Sequence, residues 1–331
     1  MATLLEITKR NSAIGPLIEE NLPLAPAWET VPVKTIKGLT YEQLVRTARP
    51  HGSFNKVGEG YSSTEGSYET KKFSLKHWGG VLKVPKSYVE AETLQSGTDR
   101  QDYMTDELGG FVQQQLIDYD KQFFWGTDSG VSGASDGFAG LSQLVDSSMT
   151  YGLAETAGSW AYVVMENVNE GVSFLSLDGS TVDASPWEFR NDMLMSASGT
   201  TITTAPGYIC TVDGYIGMKC VSPSKTIAVI KGITKDTPLT DKVIQAVCSQ
   251  FEGRYLPTRI YLNKTSRFLL TASRGVVTVA RTQGKAPAQS GEIVASTAIE
   301  SNDVPISVTD SLPTNSAAPS ADDVARLTAL I

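Results

Sequence analysis

The longest regular pattern in the chain predicts a helix over residues 98–125. Apolar residues recur there in steps of three and four, which places them on one face of a helix. They are Tyr103, Met104, Leu108, Phe111, Val112, Leu116, Tyr119 and Phe123. Thr98 and Gln101 match a capping box at the start, and Gly126 fits a left-handed C-terminal cap. At about 1.5 Å per residue the helix would be about 40 Å long, and an ordinary core helix is the simplest alternative.

Two glycines, Gly109 and Gly110, interrupt this helical pattern. Each costs a helix about 1 kcal/mol relative to alanine. We therefore expect a bend at this point, or the close approach of another backbone.

Residues 1–39 contain four prolines among apolar residues, and the pattern predicts an extended arm rather than helices. Such an arm could not bury Trp28 or its leucines by itself, so a second subunit is the expected partner. Thr40 and Gln43 form a second capping-box match, which predicts one or two helical turns.

From His51 to Tyr88 the sequence predicts a long two-stranded β-hairpin. Glycines and serines supply the turns, and loosely alternating residues lead towards Val81 and Val84. An isolated ribbon of this kind is marginally stable in water, so we expect it to lie on a neighbour. A solvated surface hairpin is the alternative interpretation.

The second half of the chain is predicted to be rich in strands. Residues 151–238 hold several β-prone runs separated by glycine, aspartate and serine. Later segments predict a helix over 241–253, a strand over 259–263, a short helix near 266–270 and a last strand over 304–308. Residues 314–323 are rich in Ser, Ala, Pro and Asp, and we expect a mobile tail there. The whole pattern predicts an α+β fold.

Composition and charge narrow the class of protein. The 331 residues carry a formal net charge of −8, which argues against a nucleic-acid reader with a basic face. A container for DNA remains compatible with this charge, because an acidic or neutral inner surface would leave the enclosed DNA mobile. No apolar run is long enough to cross a membrane, and we expect neither a signal peptide nor a membrane partner. Three widely spaced cysteines, Cys210, Cys220 and Cys248, are expected to be free thiols.

Catalytic and ligand-binding motifs are missing from the sequence. His51 and His77 stand in no metal-ligand spacing. The chain contains no nucleophile elbow, phosphate-binding loop or dinucleotide fingerprint. Carboxylates near the start of the long helix, such as Asp99 and Asp102, are better explained by helix capping than by acid–base chemistry. We therefore expect no enzyme activity, no cofactor and no metal.

The order of these segments resembles the major capsid proteins of tailed double-stranded-DNA bacteriophages, with the Hong Kong 97-type fold. The resemblance covers roughly residues 10–310 and lies in the order and spacing of several segments. They are 54–60, 75–84, 123–126, 137–141, 214–218, 227–230 and 256–263.

The resemblance implies a division of the chain into parts. It implies an N-terminal arm (1–50), an extended β-hairpin loop (51–86), a peripheral domain (87–145) with a spine helix (98–125), an axial domain (146–300) that includes the strand-rich region, and a closing strand with a flexible tail (301–331). Subunits would assemble into the hexamers and pentamers of an icosahedral shell around double-stranded DNA, inside the host bacterial cytoplasm. Expected partners are further copies of the chain, a separate scaffolding protein, a portal, weakly bound DNA and a decoration protein. Because the arm begins close to Met1, we expect no scaffolding segment within it.

Assembly would use many modest contacts, made as the arm and the loop lie on neighbouring subunits. The candidate assembly residues are Trp28, Phe54, Gly58, Glu59, Gly60, Lys71, Lys72, Lys76, Trp78, Gly109 and Gly110. We expect deletion of residues 55–80 to leave a folded subunit that cannot close particles.

Two other functions are compatible with these patterns. An encapsulin-like nanocompartment would share the arm, loop and helix but would carry cargo enzymes. A carbohydrate-binding or adhesive module would use the strand-rich region, with Trp160, Trp187 and Tyr208 as sugar platforms. Core packing explains these aromatic residues better.

Overall fold

A computed structural model describes residues 3–11, 15–61, 63–96, 100–127, 136–177, 183–198, 201–274, 298–312 and 317–331. The described helices are α1 (Leu4–Asn11), α2 (Gly15–Glu20), α3 (Pro26–Thr30), α4 (Lys86–Ser96), α5 (Arg100–Trp125), α6 (Leu141–Leu144), α7 (Pro223–Thr226), α8 (Asp241–Cys248), α9 (Lys264–Ser273) and α10 (Ala321–Leu330). The strands are β1 (Val33–Ile36), β2 (Thr40–Ala48), β3 (Ser67–Ser74), β4 (Lys76–Pro85), β5 (Thr150–Gly152), β6 (Ser159–Val164), β7 (Val172–Leu177), β8 (Asp183–Ala184), β9 (Glu188–Ser198), β10 (Thr201–Cys220), β11 (Ile227–Ile233), β12 (Arg259–Leu262), β13 (Glu300–Ser301) and β14 (Val304–Val308). The predicted α+β class and the strand-rich region are confirmed.

The strands form two mixed sheets and a separate ribbon. The first sheet has the order β1-β7-β10-β4, with β8 and β9 also paired to β10. The second sheet has the order β13-β14-β12-β6-β11-β5. Within the described part of the chain, strands β2 and β3 pair only with each other, antiparallel, and form the ribbon.

Helix α5 supplies the centre of the main hydrophobic core. Its buried residues Val112, Leu116 and Phe123 pack with residues of α1–α3 and of both sheets. The predicted apolar stripe is therefore confirmed. The helix begins at Arg100 among the described residues, and the predicted cap at Thr98 lies outside them.

The predicted C-terminal cap of α5 is confirmed at Gly126, which has φ 64°. Its backbone lies directly against Gly140, and a Cβ on Gly126 would stand 2.1 Å from the Gly140 nitrogen. The end of the helix is thus fixed against the loop that leads into α6.

The prediction of an extended N-terminal arm is wrong. Residues 4–11, 15–20 and 26–30 form short helices, and a 3₁₀ turn covers Leu22–Leu24. The prolines do not prevent this because Pro23 and Pro26 occupy the first turns of their elements, where proline has no N–H bond to lose.

The prediction of helical turns after Thr40 is also wrong, because Thr40–Ala48 is strand β2. Partly buried and exposed residues alternate along its first half, and this period of two is that of a strand. The Thr-x-x-Gln spacing was a coincidence.

The ribbon uses different strands from those predicted. Strand β2 precedes His51 and pairs with β3, while β4 pairs with β10 over ten residues. The segment 49–66 therefore connects the two strands of the ribbon, and residues 76–85 belong to the body of the molecule.

The C-terminal region also differs from the prediction. Part of the expected mobile tail forms the start of α10, whose first turn has a capping box made by Ser320 and Asp323. Leu327 of this helix is buried in a hydrophobic cluster, separate from the main core, that also contains residues of α8 and α9. Residues 313–316, also part of the expected tail, lie outside the described residues.

In the first half of the chain, helix α4 was not predicted from the sequence.

Candidate assembly surface

The ribbon ends in a tip that makes little contact with its own subunit. We define the ribbon tip as residues 51–61. Phe54 and Val57 are each 108% exposed and Tyr61 is 92% exposed, although all three are large and apolar. A turn closes the tip where the Glu59 N–H donates to the Lys56 carbonyl, and Gly58 adopts φ 95°. Three exposed apolar side chains within one short segment make the tip a candidate interaction surface.

The root of the ribbon, by contrast, is fixed to the body. Gln43 Nε2 donates to the Asn169 carbonyl and Lys71 Nζ donates to the Val221 carbonyl, each at 3.0 Å. Tyr41 and Phe73 pack beside a small buried cluster of Ile36, Leu75 and Leu175. The ribbon thus projects from a firm base with a bare end.

Lys219 also helps to fix the root of the ribbon. It is fully buried, and its Nζ donates to the Val168 and Asn169 carbonyls. Burial is the main reason that its pKa is lowered to about 8, and the nearby charge of Lys34 acts in the same direction. Lys34 Nζ in turn donates to the Tyr41 hydroxyl at 2.6 Å.

The three candidate lysines do not share one environment. Lys71 is committed to the root contact, and Lys72 forms an exposed ion pair with Glu42 at 2.7 Å. The hydrogen bond and charge of Glu42 raise the pKa of Lys72. Lys76 lines a cleft of about 400 Å³ with Trp78.

Trp28 is buried inside the subunit, where its ring meets that of the half-buried Trp78. Trp28 is 0% exposed, and its ring lies 6.0 Å from Trp78 and 4.7 Å from Tyr119. The prediction that Trp28 needs another subunit for burial is therefore wrong. The short helices α1–α3 provide the cover that an extended arm would have lacked.

Gly109 and Gly110 lie in an uninterrupted part of α5, beneath a surface concavity of about 500 Å³. We call this concavity the glycine notch; its walls include Leu17, Glu20, Asn21, Asp106 and Gln113. A Cβ on either glycine would meet nothing within 4 Å. The expected close approach by another backbone is thus not made by the described part of this chain.

Two carboxylates are buried in the body, and sequence reasoning did not single them out. Asp120 of α5 accepts a hydrogen bond from Thr309, and burial raises its pKa to about 6. Glu166 accepts a hydrogen bond from Tyr261 and lies 3.6 Å from Arg259; burial raises its pKa despite these partners. Both side chains join distant segments, so they act as structural ties.

No catalytic or metal-binding constellation was found among the described residues. They contain no cluster of three or more His, Cys, Asp or Glu that could hold a metal. His77 lies 3.5 Å from Asp213 in an exposed pair. In the part of the chain that the structure covers, no helix has both the length and the apolarity of a membrane span.

The aromatic residues considered as sugar platforms are differently placed. Trp160 is buried, packs 5.2 Å from Trp125, and donates its Nε1–H to the Ala317 carbonyl. Tyr208 packs 5.3 Å from Phe189, and Trp187 is half-buried. Of these three aromatic residues, Trp160 is therefore a core residue.

Structural comparison identifies the fold, whereas sequence comparison does not. No protein-family model matches the chain, and no curated protein matches its sequence. A structure of bacteriophage Epsilon15 matches with a TM-score of 0.58 at 12% identity, covering 88% of each chain. The bacteriophage JBD30 capsid matches with a TM-score of 0.48 at 13% identity, over 89% of this chain and 93% of that chain. The SrpI encapsulin of Synechococcus elongatus gives a TM-score of 0.37 at 9% identity, over 61% of this chain and 85% of that chain.

The Epsilon15 match carries the argument because it combines the higher TM-score with nearly full coverage of both chains. The α+β phage capsid fold predicted from the sequence is confirmed.

Proposed function

We propose that this chain is a structural protein of a phage virion, which assembles with further copies of itself into an icosahedral shell of hexamers and pentamers. The observation that carries the proposal is the ribbon, whose root is bonded to the body while Phe54, Val57 and Tyr61 at its tip are uncovered. A single subunit gains nothing from exposing these side chains, whereas a shell can bury them between copies. The phage capsid fold supports the same conclusion.

The proposed parts of the subunit follow the described elements. The ribbon β2–β3 would be the extended loop, α5 the spine helix of a peripheral domain, and the strand-rich region part of an axial domain that meets its symmetry mates. Buried interface per subunit would fall in the obligate range of about 2,000–5,000 Å². The role is structural rather than catalytic.

Other components would complete the particle. A separate scaffolding protein, a portal and a decoration protein are proposed partners, with double-stranded DNA as the enclosed cargo. The net charge of −8 favours weak contact with that DNA. Filter binding to duplex DNA at physiological salt should therefore be weak; submicromolar, salt-sensitive binding would contradict this part of the proposal.

A loop replacement tests the shell function. Deletion of residues 55–80 is unsuitable, because it removes β3, the buried Leu75 and half of β4. Replacement of residues 52–63 by a short glycine-serine turn spares both strands of the ribbon. The variant should keep the circular dichroism and thermal unfolding of the parent but form no closed particles in electron micrographs.

A second variant keeps the length of the loop and changes only its polarity. Phe54→Ser, Val57→Ser and Tyr61→Ser together should weaken assembly in the same direction. Normal particles from both loop variants would contradict the role of the ribbon tip. A parent protein that stays monomeric at all concentrations, with or without scaffold, would contradict the shell function itself.

A further inference from the structure

A polar recess lies at the root of the ribbon, between strand β2 and the body of the subunit. It encloses about 550 Å³. Its ribbon wall is formed by residues 43–46, Arg49 and Tyr68, and its body wall includes Glu170 and Arg254. We call it the arginine recess.

Strand β2 presents a free edge to this recess. In the part of the chain that the structure covers, β2 pairs only with β3, so the backbone groups on its other side have no partner strand. Successive side chains of a strand point to opposite faces, and a recess lined by the consecutive residues 43–46 therefore runs along the strand edge. Leu44 is 64% exposed there. A free edge is a template for pairing with another extended chain.

Gln43 supplies a hydrogen-bond acceptor that the subunit does not use. Its Nε2 donates to the Asn169 carbonyl at 3.0 Å, which holds the side chain in place. Its Oε1 is enclosed, and none of the described residues donates a hydrogen bond to it. Buried polar atoms normally have a partner, so this oxygen suits an N–H group brought by a ligand.

The recess is positively charged, although the whole chain has a net charge of −8. Arg46 donates to the Tyr68 hydroxyl at 2.6 Å, and its guanidinium lies 5.1 Å from the centre of the Tyr68 ring. Arg49 is exposed and has no carboxylate partner within the described ranges. Arg254 pairs with Glu170 at the body wall. Three arginines thus stand against one carboxylate among the residues that line the recess.

Charges just outside the recess do not cancel this excess. Glu69 and Lys71 lie two positions apart on one face of β3, and their charges offset each other. Lys225 and Glu252 pair with each other at 2.7 Å. The excess of positive charge therefore belongs to the recess itself.

These features together select the class of ligand. Guanidinium groups bind carboxylates through charge-assisted hydrogen bonds, and an extended backbone pairs with a free strand edge. A recess of about 550 Å³ has room for a few extended residues, whereas a nucleic-acid duplex is much wider. An acidic peptide segment satisfies both the charge and the shape.

We propose that the arginine recess binds an extended acidic segment of another protein, which adds a third strand at the free edge of β2. Carboxylates of the segment bond to Arg46 and Arg49, and one of its backbone N–H groups donates to Gln43 Oε1. A two-stranded ribbon is marginally stable alone, so the added strand also stabilises it. The inference goes beyond the shell function and does not depend on it, because a single subunit carries the complete recess.

Fluorescence anisotropy tests the binding, with dilute subunits and a labelled peptide in which glutamate alternates with valine. This peptide should bind, and added salt should weaken the binding because it screens the charges. The same peptide with glutamine in place of glutamate should bind about ten-fold more weakly. No binding up to about 1 mM peptide, or equal binding of the two peptides, would overturn the proposal.

Substitutions of the arginines test the site. Arg46→Gln with Arg49→Gln should weaken binding about ten-fold, and Arg49→Gln alone, which spares the bond from Arg46 to Tyr68, about three-fold. Arg190→Gln is the matched control, since Arg190 is an exposed arginine of β9 that pairs with Glu188 and does not line the recess. The control should leave the affinity unchanged. An equal loss of affinity in the control and the recess variants would overturn the proposal.

Hydrogen exchange followed by mass spectrometry tests the pairing with the strand edge. The bound peptide should slow the exchange of backbone amides in residues 43–47 and leave that of β14 unchanged. A peptide that is N-methylated at alternate residues keeps its carboxylates but loses N–H donors, so it should bind about ten-fold more weakly. Unchanged exchange in residues 43–47, or undiminished binding of the methylated peptides in both registers, would overturn the added strand.

Other occupants of the recess would give different results. Displacement of the peptide by inorganic phosphate or by short duplex DNA at an equal concentration of charge would assign the recess to phosphate groups and overturn the proposal. Self-association of the dilute parent that is lost in Arg49→Gln would assign it to a second copy, with the same consequence. Failure of the parent to form particles would overturn the shell function and leave the recess standing.

Discussion

The buried carboxylate of Asp120 makes the stability of the subunit depend on pH in an unusual direction. Asp120 is fully buried, and burial raises its pKa from 3.8 to about 6, while hydrogen bonds from Thr309 and Ser311 oppose the shift. The folded state therefore holds the proton more tightly than the unfolded state. The resulting stabilisation is fully present below about pH 4 and is lost as the pH rises through about 6.

The size of the effect follows from the pKa difference. About two pKa units at 1.36 kcal/mol each give about 3 kcal/mol in total, of which about 2 kcal/mol is lost between pH 4.5 and 7.5. Asp120→Asn keeps the shape of the side chain and cannot ionise. The free energy of unfolding of the parent should therefore fall relative to that of the variant by about 2 kcal/mol over this pH range.

The assay is urea unfolding of dilute subunits, followed by tryptophan fluorescence at a series of pH values. The quantity compared is the difference between parent and Asp120→Asn, which cancels groups common to both, including Glu166. Thr309→Val should move the pH range over which the stability falls to higher pH, because the Thr309 hydrogen bond holds the pKa of Asp120 down. A difference that is constant with pH, or that grows in the opposite direction, would refute the reasoning.

Three further substitutions or reagents probe other parts of the subunit. Trp28→Ala should lower the free energy of unfolding by about 3–5 kcal/mol, measured by urea titration, because the residue is fully buried among aromatic rings; a loss under about 1 kcal/mol would contradict this. Gly126→Ala should destabilise the subunit by more than about 1 kcal/mol in thermal unfolding, because of its positive φ and the contact with Gly140, in contrast to Gly109→Ala. Burial raises the pKa of the Cys220 thiol from 9.0 to about 11. Labelling of Cys220 by a thiol reagent at pH 8 should therefore be about 100-fold slower in the native than in the unfolded chain. Equal labelling rates in the two states would refute this prediction.

The parts of the fold that sequence predicted well are those with strong local patterns. Helix α5 has a long apolar period and a glycine stop, and both are found in the structure. The strand-rich region and β14 were predicted from β-prone runs between turn residues. The N-terminal helices were missed because proline was taken as a helix breaker, whereas it stands in first turns.

Non-local pairing was beyond the sequence pattern. Strand β4 pairs with residues 207–216 of β10, more than a hundred positions later. Local alternation cannot identify such a partner, so residues 76–85 were assigned to a hairpin.

The role of the candidate assembly residues stays a prediction, but the structure shows where several of them lie. Phe54, Gly58, Glu59 and Gly60 come from segment 54–60, one of those that carry the resemblance, and the structure places them in the ribbon tip. Val57 and Tyr61 were missed, although apolar residues inside a polar loop are a signal of contact. The notch could not be foreseen in full, since Glu20 of α2 reaches α5 only through the tertiary fold.

Strand β10 also has a mechanical consequence. Its 20 residues would extend over about 65 Å at about 3.3 Å per residue, and it bonds along its length to β9, β8, β4 and β7. Tension applied along it is divided among many hydrogen bonds loaded in parallel, instead of opening them one at a time. In a shell built from such subunits, internal pressure would be borne in every copy by the continuous backbone of β10.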